Sequence, residues 1–422
     1  MLEGIRRLPP AHTMVWGPDR KLIIQKYWTF SCTEKTSTNP IQRTSLVLEF
    51  RKRFEESVAL HLRADVPVGT CLSGGLDSSA IVCVINTELK KWRNTQENLQ
   101  HTFSAYFDEP HLDERVYMEE VIAATGCIPH FVNPQGERLR EDLGNLLWHQ
   151  EEPIGGTGVY LQYCLTRLAR QEGVKVLLDG QGADEQLAGY RKFILVFLRQ
   201  LFRERQYIRA VKGAFAFFSS VDILRTSRLA DGRRYLLGAS SEVTRLWSTG
   251  EMPVPPVELG LQDSLGHRIQ ADLMKFSLPI LLRYEDRNSM AFGIESRVPF
   301  LDHPLVEWLG TLPADMKLDG GWTKRILREA LKGILPEKVC TRKSKLGFSA
   351  PETEWLAGPL ADWLQGQLNK SRFLEDVVNV DGVRQLLKQR IEGDRSLELQ
   401  NILFRLAIYE SCAQLFLDAR SD

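Results

Sequence analysis

Apolar residues recur along this chain in two alternating rhythms. From Ser45 to His61, Leu46, Leu48, Phe50, Phe54, Val58 and Leu60 mark an amphipathic helix. Val66, Val68, Cys71 and Leu72, bounded by Pro67 and Gly69, then form the compact apolar run of a short buried strand. A second helical rhythm opens at Asp77-Ser78-Ser79 and carries Ala80, Ile81, Val84 and Ile85. The alternation continues with a strand over Thr102–Phe107, a helix from about Asp113 to Ala124 and a strand over His130–Val132. Helices over roughly 137–150 and 157–172 and a strand over Val174–Asp179 follow. Strands separated by helices of this length predict a parallel sheet with helices on both faces. The C-terminal part reads as mostly helical, including a helix over Trp322–Leu331.

Two glycine turns fall at the carboxyl ends of predicted strands, where parallel sheets bind their ligands. Ser73-Gly74-Gly75 joins the first strand to its helix, and Gly180-Gln181-Gly182 follows Asp179. Asp or Ser at a helix start caps orphan N–H groups, and glycine removes the Cβ that would keep the backbone from a ligand. The first turn is therefore a cup of N–H donors at a positive helix end, suited to a phosphate or pyrophosphate. No Gly-Lys-Ser/Thr follows, which excludes a Walker loop.

The remaining stretches narrow the picture. Within residues 1–45, Lys21–Gln25 and Tyr27-Trp28 predict one or two strands and Ser31–Asn39 a polar linker, too little to bury a core alone. Residues 191–249 hold 12 Arg/Lys against 4 Asp/Glu among many aromatics. A nucleic-acid groove uses such residues, but so does a helical insertion (191–270) with aromatics inward and arginines solvated. The whole chain balances 54 Lys+Arg against 54 Asp+Glu, so the insertion is the expectation and nucleic acid is not an expected partner. Acids and arginines crowd among apolar residues in Leu282–Asp302, which predicts a structural ion-pair network. No apolar run is long enough to span a bilayer and no signal-peptide pattern opens the chain. Seven scattered cysteines without metal spacing point to a reducing, cytoplasmic setting.

Four motifs, in this order, resemble the synthetase part of the glutamine-hydrolysing asparagine synthetases: Ser73–Ser79, Asp179–Glu185, Tyr284–Arg287 with Arg297–Asp302, and Lys345–Phe348. The match runs from Ser45 to about Trp355. It implies an ATP pyrophosphatase fold, of the adenine-nucleotide alpha hydrolase type, over residues 46–422. Residues 1–45 then resemble the last strands of that family's glutaminase domain plus a linker. The implied reaction uses ATP and Mg²⁺ to activate a carboxylate, aspartate by default, as an acyl-adenylate. Pyrophosphate leaves, and ammonia or another amine then attacks to give an amide, asparagine by default, and AMP. By the same resemblance Ser73, Gly74, Gly75, Ser78 and Ser79 hold the pyrophosphate, and Asp77 and Asp184 bind Mg²⁺. Backbone near Leu72, Ala105, Asp179 and Gly180 takes the adenosine. Lys345 stabilises charge on the adenylate, with Lys343 as its neighbour and rival.

Two departures shape the expectation. The family's glutaminase begins with a nucleophilic cysteine after the initiator methionine, whereas this chain begins Met1-Leu2. Ammonia is then expected from solution or a separate glutaminase, unless another amine is the acceptor. The position of Gln181 holds glutamate in many asparagine-forming members and tyrosine in β-lactam-forming relatives. Glutamine cannot take a proton, so the acceptor chemistry differs and a specialised amide or a β-lactam- or lasso-type macrocycle stays open as product. A non-catalytic nucleotide-binding relative is a further alternative.

Overall fold

The structure, a computed structural model, describes residues 4–91, 100–218, 264–343, 350–375, 377–394 and 396–418. Its centre is a five-stranded, all-parallel sheet in the order β5-β4-β3-β6-β7. The strands are β3 (Val68–Cys71), β4 (His101–Ala105), β5 (Ile128–Val132), β6 (Val176–Leu178) and β7 (Glu295–Arg297). From β3 the chain winds outward through β4 and β5, then crosses to β6 and winds the other way. The tips of β3 and β6 therefore flank a topological switch point, the place where an open parallel sheet leaves a crevice.

Side-chain alternation explains the layers. On β6, Val176 and Leu178 face a core shared with α1 (Pro40–His61), α2 (Leu76–Lys91) and α3 (Arg115–Thr125), while Leu177 faces Phe103, Leu165 and Ala169 on the other side. Helix α1 is seated by Phe54, whose ring stacks on Phe300 at 4.6 Å, and by Ser57, which donates to the Pro299 carbonyl at 2.6 Å. Each such fully buried Phe contributes about 1.5–3 kcal/mol. Helix α5 (Gly158–Gln171) covers the opposite face, and α4 (Gly136–Gln150) joins a second core with the C-terminal helices, notably Leu397–Leu417.

Several boundaries differ from the sequence reading. Helix α1 starts at Pro40 rather than Ser45, because proline suits the first helical position and Asn39 caps it through the Ile41 N–H. Leu48 and Leu60 of its expected stripe stand exposed. Strand β7 is only Glu-Ser-Arg, and no apolar run announces it. Trp322 is not helical. It belongs to a hairpin of β8 (Leu318–Asp319) and β9 (Trp322–Thr323), and the helix begins at Arg325. The stretch expected as a linker is pinned down: Thr36 is buried, and Thr38 bonds Asp315 through its N–H and its hydroxyl, both at 2.8 Å. Ahead of it, β1 (His12–Trp16) and β2 (Leu22–Lys26) pair as a hairpin that, apart from half-buried His12, is exposed throughout. After the short α6 (Ala183–Gln186), α7 (Arg191–Arg203) and α8 (Tyr207–Phe218) in the basic stretch are helical as expected, and residues 219–263 lie outside the described part. Phe193, Phe197 and Phe217 are buried, but Phe202, Tyr207 and Phe215 face outward.

Candidate functional site

The two glycine turns meet at the switch point. Leu72 ends β3 with its N–H on the Phe103 carbonyl and its own carbonyl bound by Ser104 Oγ at 2.7 Å. Gly74 then turns with φ +70°, a conformation that glycine adopts without strain, and α2 starts at Leu76. The turn is tied internally: Ser73 N–H donates to Ser78 Oγ at 3.2 Å, the two hydroxyls lie 3.1 Å apart, and Gly75 N–H donates to Ser73 Oγ at 3.3 Å. These groups face one another around the start of a 16-residue helix, whose dipole favours an anion there. Ser79 departs from this arrangement. Its side chain is fully buried, and its N–H is spent on the Gly75 carbonyl.

The second turn leans on the first. Asp179 follows β6, with the Gly180 and Gln181 backbone and the Cys71 thiol beside its carboxyl. Burial pushes the Asp179 carboxyl above its ordinary range and pushes the Cys71 thiol far up as well. A Cβ on Gly180 would stand 3.1 Å from that of Asp77, so a side chain there would wedge the turns apart. Gly182 carries φ +86°, and a Cβ on it would overlap Leu301. Ala105 closes β4 half-buried on the other flank of β3.

Asp77 and Asp184, on opposite turns, converge on one atom. Lys324 Nζ contacts the Asp77 carboxylate and lies 2.6 Å from Asp184 Oδ1. Burial works against a charged ammonium, but the two carboxylates outweigh it and hold Lys324 above the usual lysine range. Lys324 sits in left-handed backbone (φ 52°, ψ 38°), uncommon for a residue with a side chain. It emerges from the β8–β9 hairpin, whose Gly320-Gly321 turn has positive φ at both positions. Reading 322–331 as one helix hid this lysine. Asp319-Gly320-Gly321 was the turn signal that could have revealed it.

Two carboxylate oxygens aimed at one point suit Mg²⁺, which takes one or two carboxylates and fills its shell with substrate phosphate and water. Among the described residues no cluster of three or more His, Cys, Asp or Glu forms a self-sufficient metal site. The residues thus fit a magnesium ion that arrives with a polyphosphate.

Other side chains frame the crevice. Arg342 reaches the Gly74 carbonyl, Glu114 and the Tyr117 ring. Trp322 has Arg328 over its ring at 5.0 Å and Lys343 at 4.8 Å. Lys345 lies outside the described residues, between Lys343 and Ala350. In the acid- and arginine-rich segment, Arg283 pairs with Glu152, Arg287 with Glu151 and Arg297 with Glu295. Glu285 stands apart from that network. It is buried beside Asp179 and bonded by Ser296, and its second oxygen has no hydrogen-bond partner among the described residues. Burial, with Asp179 adding to it, raises its carboxyl well above the ordinary value.

Sequence comparison places these features in context. The asparagine synthase family model matches residues 49–413. The chain is 26% identical over 441 residues to asparagine synthetase [glutamine-hydrolyzing] 1 of Bacillus subtilis, covering 94% of this chain and 64% of the relative. It is 26% identical over 412 residues to amidase chyE of Penicillium rubens, covering 85% and 60%. Asparagine synthetase [glutamine-hydrolyzing] 3 of B. subtilis is 27% identical over 428 residues, covering 96% and 62%. The chain thus spans less than two thirds of the length of these relatives.

Proposed function

Because the chain belongs to the asparagine synthase family, we propose that it is an ATP-dependent amide-forming ligase. A carboxylate oxygen attacks the α-phosphorus of ATP, the bond to the β-phosphate's bridging oxygen breaks, and pyrophosphate leaves. An amine nitrogen then attacks the acyl carbon, the bond to AMP breaks, and an amide forms. The observation that carries this reading is the convergence of Asp77 and Asp184, from two turns at the switch point, on a single cation.

In this reading the N–H groups of the Ser73–Gly75 turn and the Ser78 hydroxyl hold the departing pyrophosphate, at a positive helix end that stabilises charge as it develops. The Ser79 side chain is fully buried, so its share is confined to shaping the turn. Backbone at Leu72, Ala105 and Gly180 takes the adenosine, and Asp179 sits beside the Gly180 and Gln181 backbone at the base of that turn. Asp77 and Asp184 hold Mg²⁺, which supplies charge neutralisation on the phosphates when bound. Lys324 keeps those carboxylates together and offsets one of their two negative charges before nucleotide arrives. Lys345 acts on the adenylate by family resemblance.

Asparagine from aspartate and ammonia is the default product. Gln181 supports a second product class, a specialised amide, because it can hydrogen-bond an acceptor but cannot take the amine's proton. The fold-family relatives include a protein named an amidase as well as asparagine synthetases, which is compatible with either. We assign residues 1–45 as glutaminase-type strands with a linker, supported by the β1–β2 hairpin, and a glutaminase as one source of ammonia. The seven cysteines form no disulfide, which supports a cytoplasmic setting, and among the described residues no helix is long and apolar enough to cross a membrane.

The test is pyrophosphate release by the purified chain across a panel of carboxylic acids, with ammonium or glutamine as nitrogen donor. Acid-dependent release with ammonium is the expected outcome. No release with any acid, together with no exchange of labelled pyrophosphate into ATP, overturns the ligase reading.

A further inference from the structure

The pyrophosphate cup contains a weak point in its own chemistry. Its floor is a Gly74-Gly75 peptide, and glycine on both sides lets a peptide plane invert cheaply, since neither residue has a Cβ to resist the change in ψ and φ. Inversion would replace an N–H donor by a carbonyl oxygen facing a polyanion. The direction of this one peptide decides whether the cup attracts or repels phosphate.

Arg342 holds it from outside. The guanidinium is buried (8% residual exposure), and its Nη1 donates to the Gly74 carbonyl at 3.1 Å. The same group is ion-paired to Glu114, and its Cζ lies 4.0 Å above the Tyr117 ring centroid. Both partners belong to the start of α3, against which Gly74 itself is pressed: a Cβ there would meet Tyr117 Cβ at 3.0 Å and the Glu114 carbonyl at 3.2 Å. In a trans peptide the C=O and the next N–H point in opposite directions, and no cis bond occurs among the described residues. A carbonyl drawn toward Arg342 therefore turns the Gly75 N–H the other way, and that N–H donates to Ser73 Oγ of the same turn.

We propose that Arg342 is a positioning residue for pyrophosphate: by fixing the Gly74 carbonyl it aims the Gly75 N–H into the cup, with Glu114 and the Tyr117 face holding the guanidinium in register. It acts through the peptide and does not touch the nucleotide. A planar, multiply donating group is required, because one side chain must serve a carbonyl, a carboxylate and a ring face together. The inference rests on the pyrophosphate reading of this loop.

Calorimetry on the full chain separates the two ideas. Magnesium pyrophosphate and AMP are titrated first into wild type, then into Arg342→Gln and Arg342→Lys. Wild type binding neither ligand overturns the nucleotide reading, and this inference with it. Given wild-type binding, Arg342→Gln is expected to lose on the order of tenfold or more in pyrophosphate affinity, the scale of one lost charge-assisted hydrogen bond, with AMP affinity unchanged. Arg342→Lys is expected to fall between the two, and millimolar guanidinium should restore pyrophosphate binding to the Gln variant. A folded Arg342→Gln that keeps pyrophosphate affinity, or loses both ligands equally, overturns the assignment. If the Gln variant does not fold, the Lys variant is judged by the same selective loss, and its absence is equally fatal.

Discussion

Gly189 lies directly beneath the Asp184 carboxylate: a Cβ built on it would overlap both Asp184 Oδ1 and Lys324 Cε. The two residues are also joined through the backbone, with Gly189 N–H on the Asp184 carbonyl at 2.8 Å. Gly189→Ala is therefore expected to displace the carboxylate and the ammonium together. Misplacement of about 1 Å can cost roughly 100-fold in rate, so exchange of pyrophosphate into ATP should fall on that scale. Gly144, exposed in α4 with no neighbour near its missing Cβ, is the control. Gly144→Ala should leave exchange alone and stabilise the chain by roughly 0.5–1 kcal/mol.

Lys324 makes a prediction of opposite signs. Lys324→Met removes the ammonium that Asp77 and Asp184 share, so the pair should bind added Mg²⁺ more tightly while turnover drops. A magnesium titration of exchange activity reads both. A variant that needs more magnesium than wild type contradicts the placement of this ammonium between the carboxylates.

Glu285 sets a pH dependence. Its folded-state carboxyl titrates well above 4.5, through burial and then the neighbouring Asp179, so the folded chain keeps a proton that the unfolded chain releases. Stability therefore declines as pH rises through and beyond the ordinary carboxylate range, and the penalty is complete once the folded group also ionises. Glu285→Gln removes that penalty. Its thermal midpoint should exceed that of wild type at about pH 8 and approach it near about pH 4, where the acid is neutral in both states. A gap that does not vary with pH would falsify this account.

On the opposite edge of the sheet, His101 and His130 stack with centroids 5.1 Å apart and share a hydrogen bond of 2.9 Å, and Glu172 lies 3.4 Å beyond. Burial, then His130, lowers the His101 pKa from 6.5, so the fold favours its neutral form. That contribution is present above pH 6.5 and is lost as pH falls through the lowered folded value. Acid titration of stability should show a step in this window that His101→Gln diminishes. An identical acid profile for the variant would remove His101 as its source.

What was legible in the sequence was whatever a short stretch encodes by itself. Val68–Leu72 followed by Ser73-Gly74-Gly75 and an apolar helix spells strand, cup and helix locally, and Asp77 and Asp184 were found because each sits within such a word. Lys324 and Arg342 belong to segments whose local spelling says helix and basic loop. Only the crossing to β6 and the packing of the later chain bring them to the cup. Strand β7 was missed for a related reason: three half-polar residues become a strand only because β6 offers a bare edge to pair with. Glu285 was expected within an ion-pair network, and its burial beside a second acid follows from packing of the helix Leu278–Ala291 that no charge pattern encodes.

The hairpin that delivers Lys324 rests its turn on another element: a Cβ on Gly321 would strike the Ala216 carbonyl near the end of α8. The height of the ammonium at the sheet's crevice is thus inherited from a surface helix whose Ile208, Val211 and Phe215 look outward. Whatever comes to lie on that helix bears on the hairpin that holds Lys324 between Asp77 and Asp184. Catalytic tuning in this chain can therefore be written into residues that no substrate ever meets.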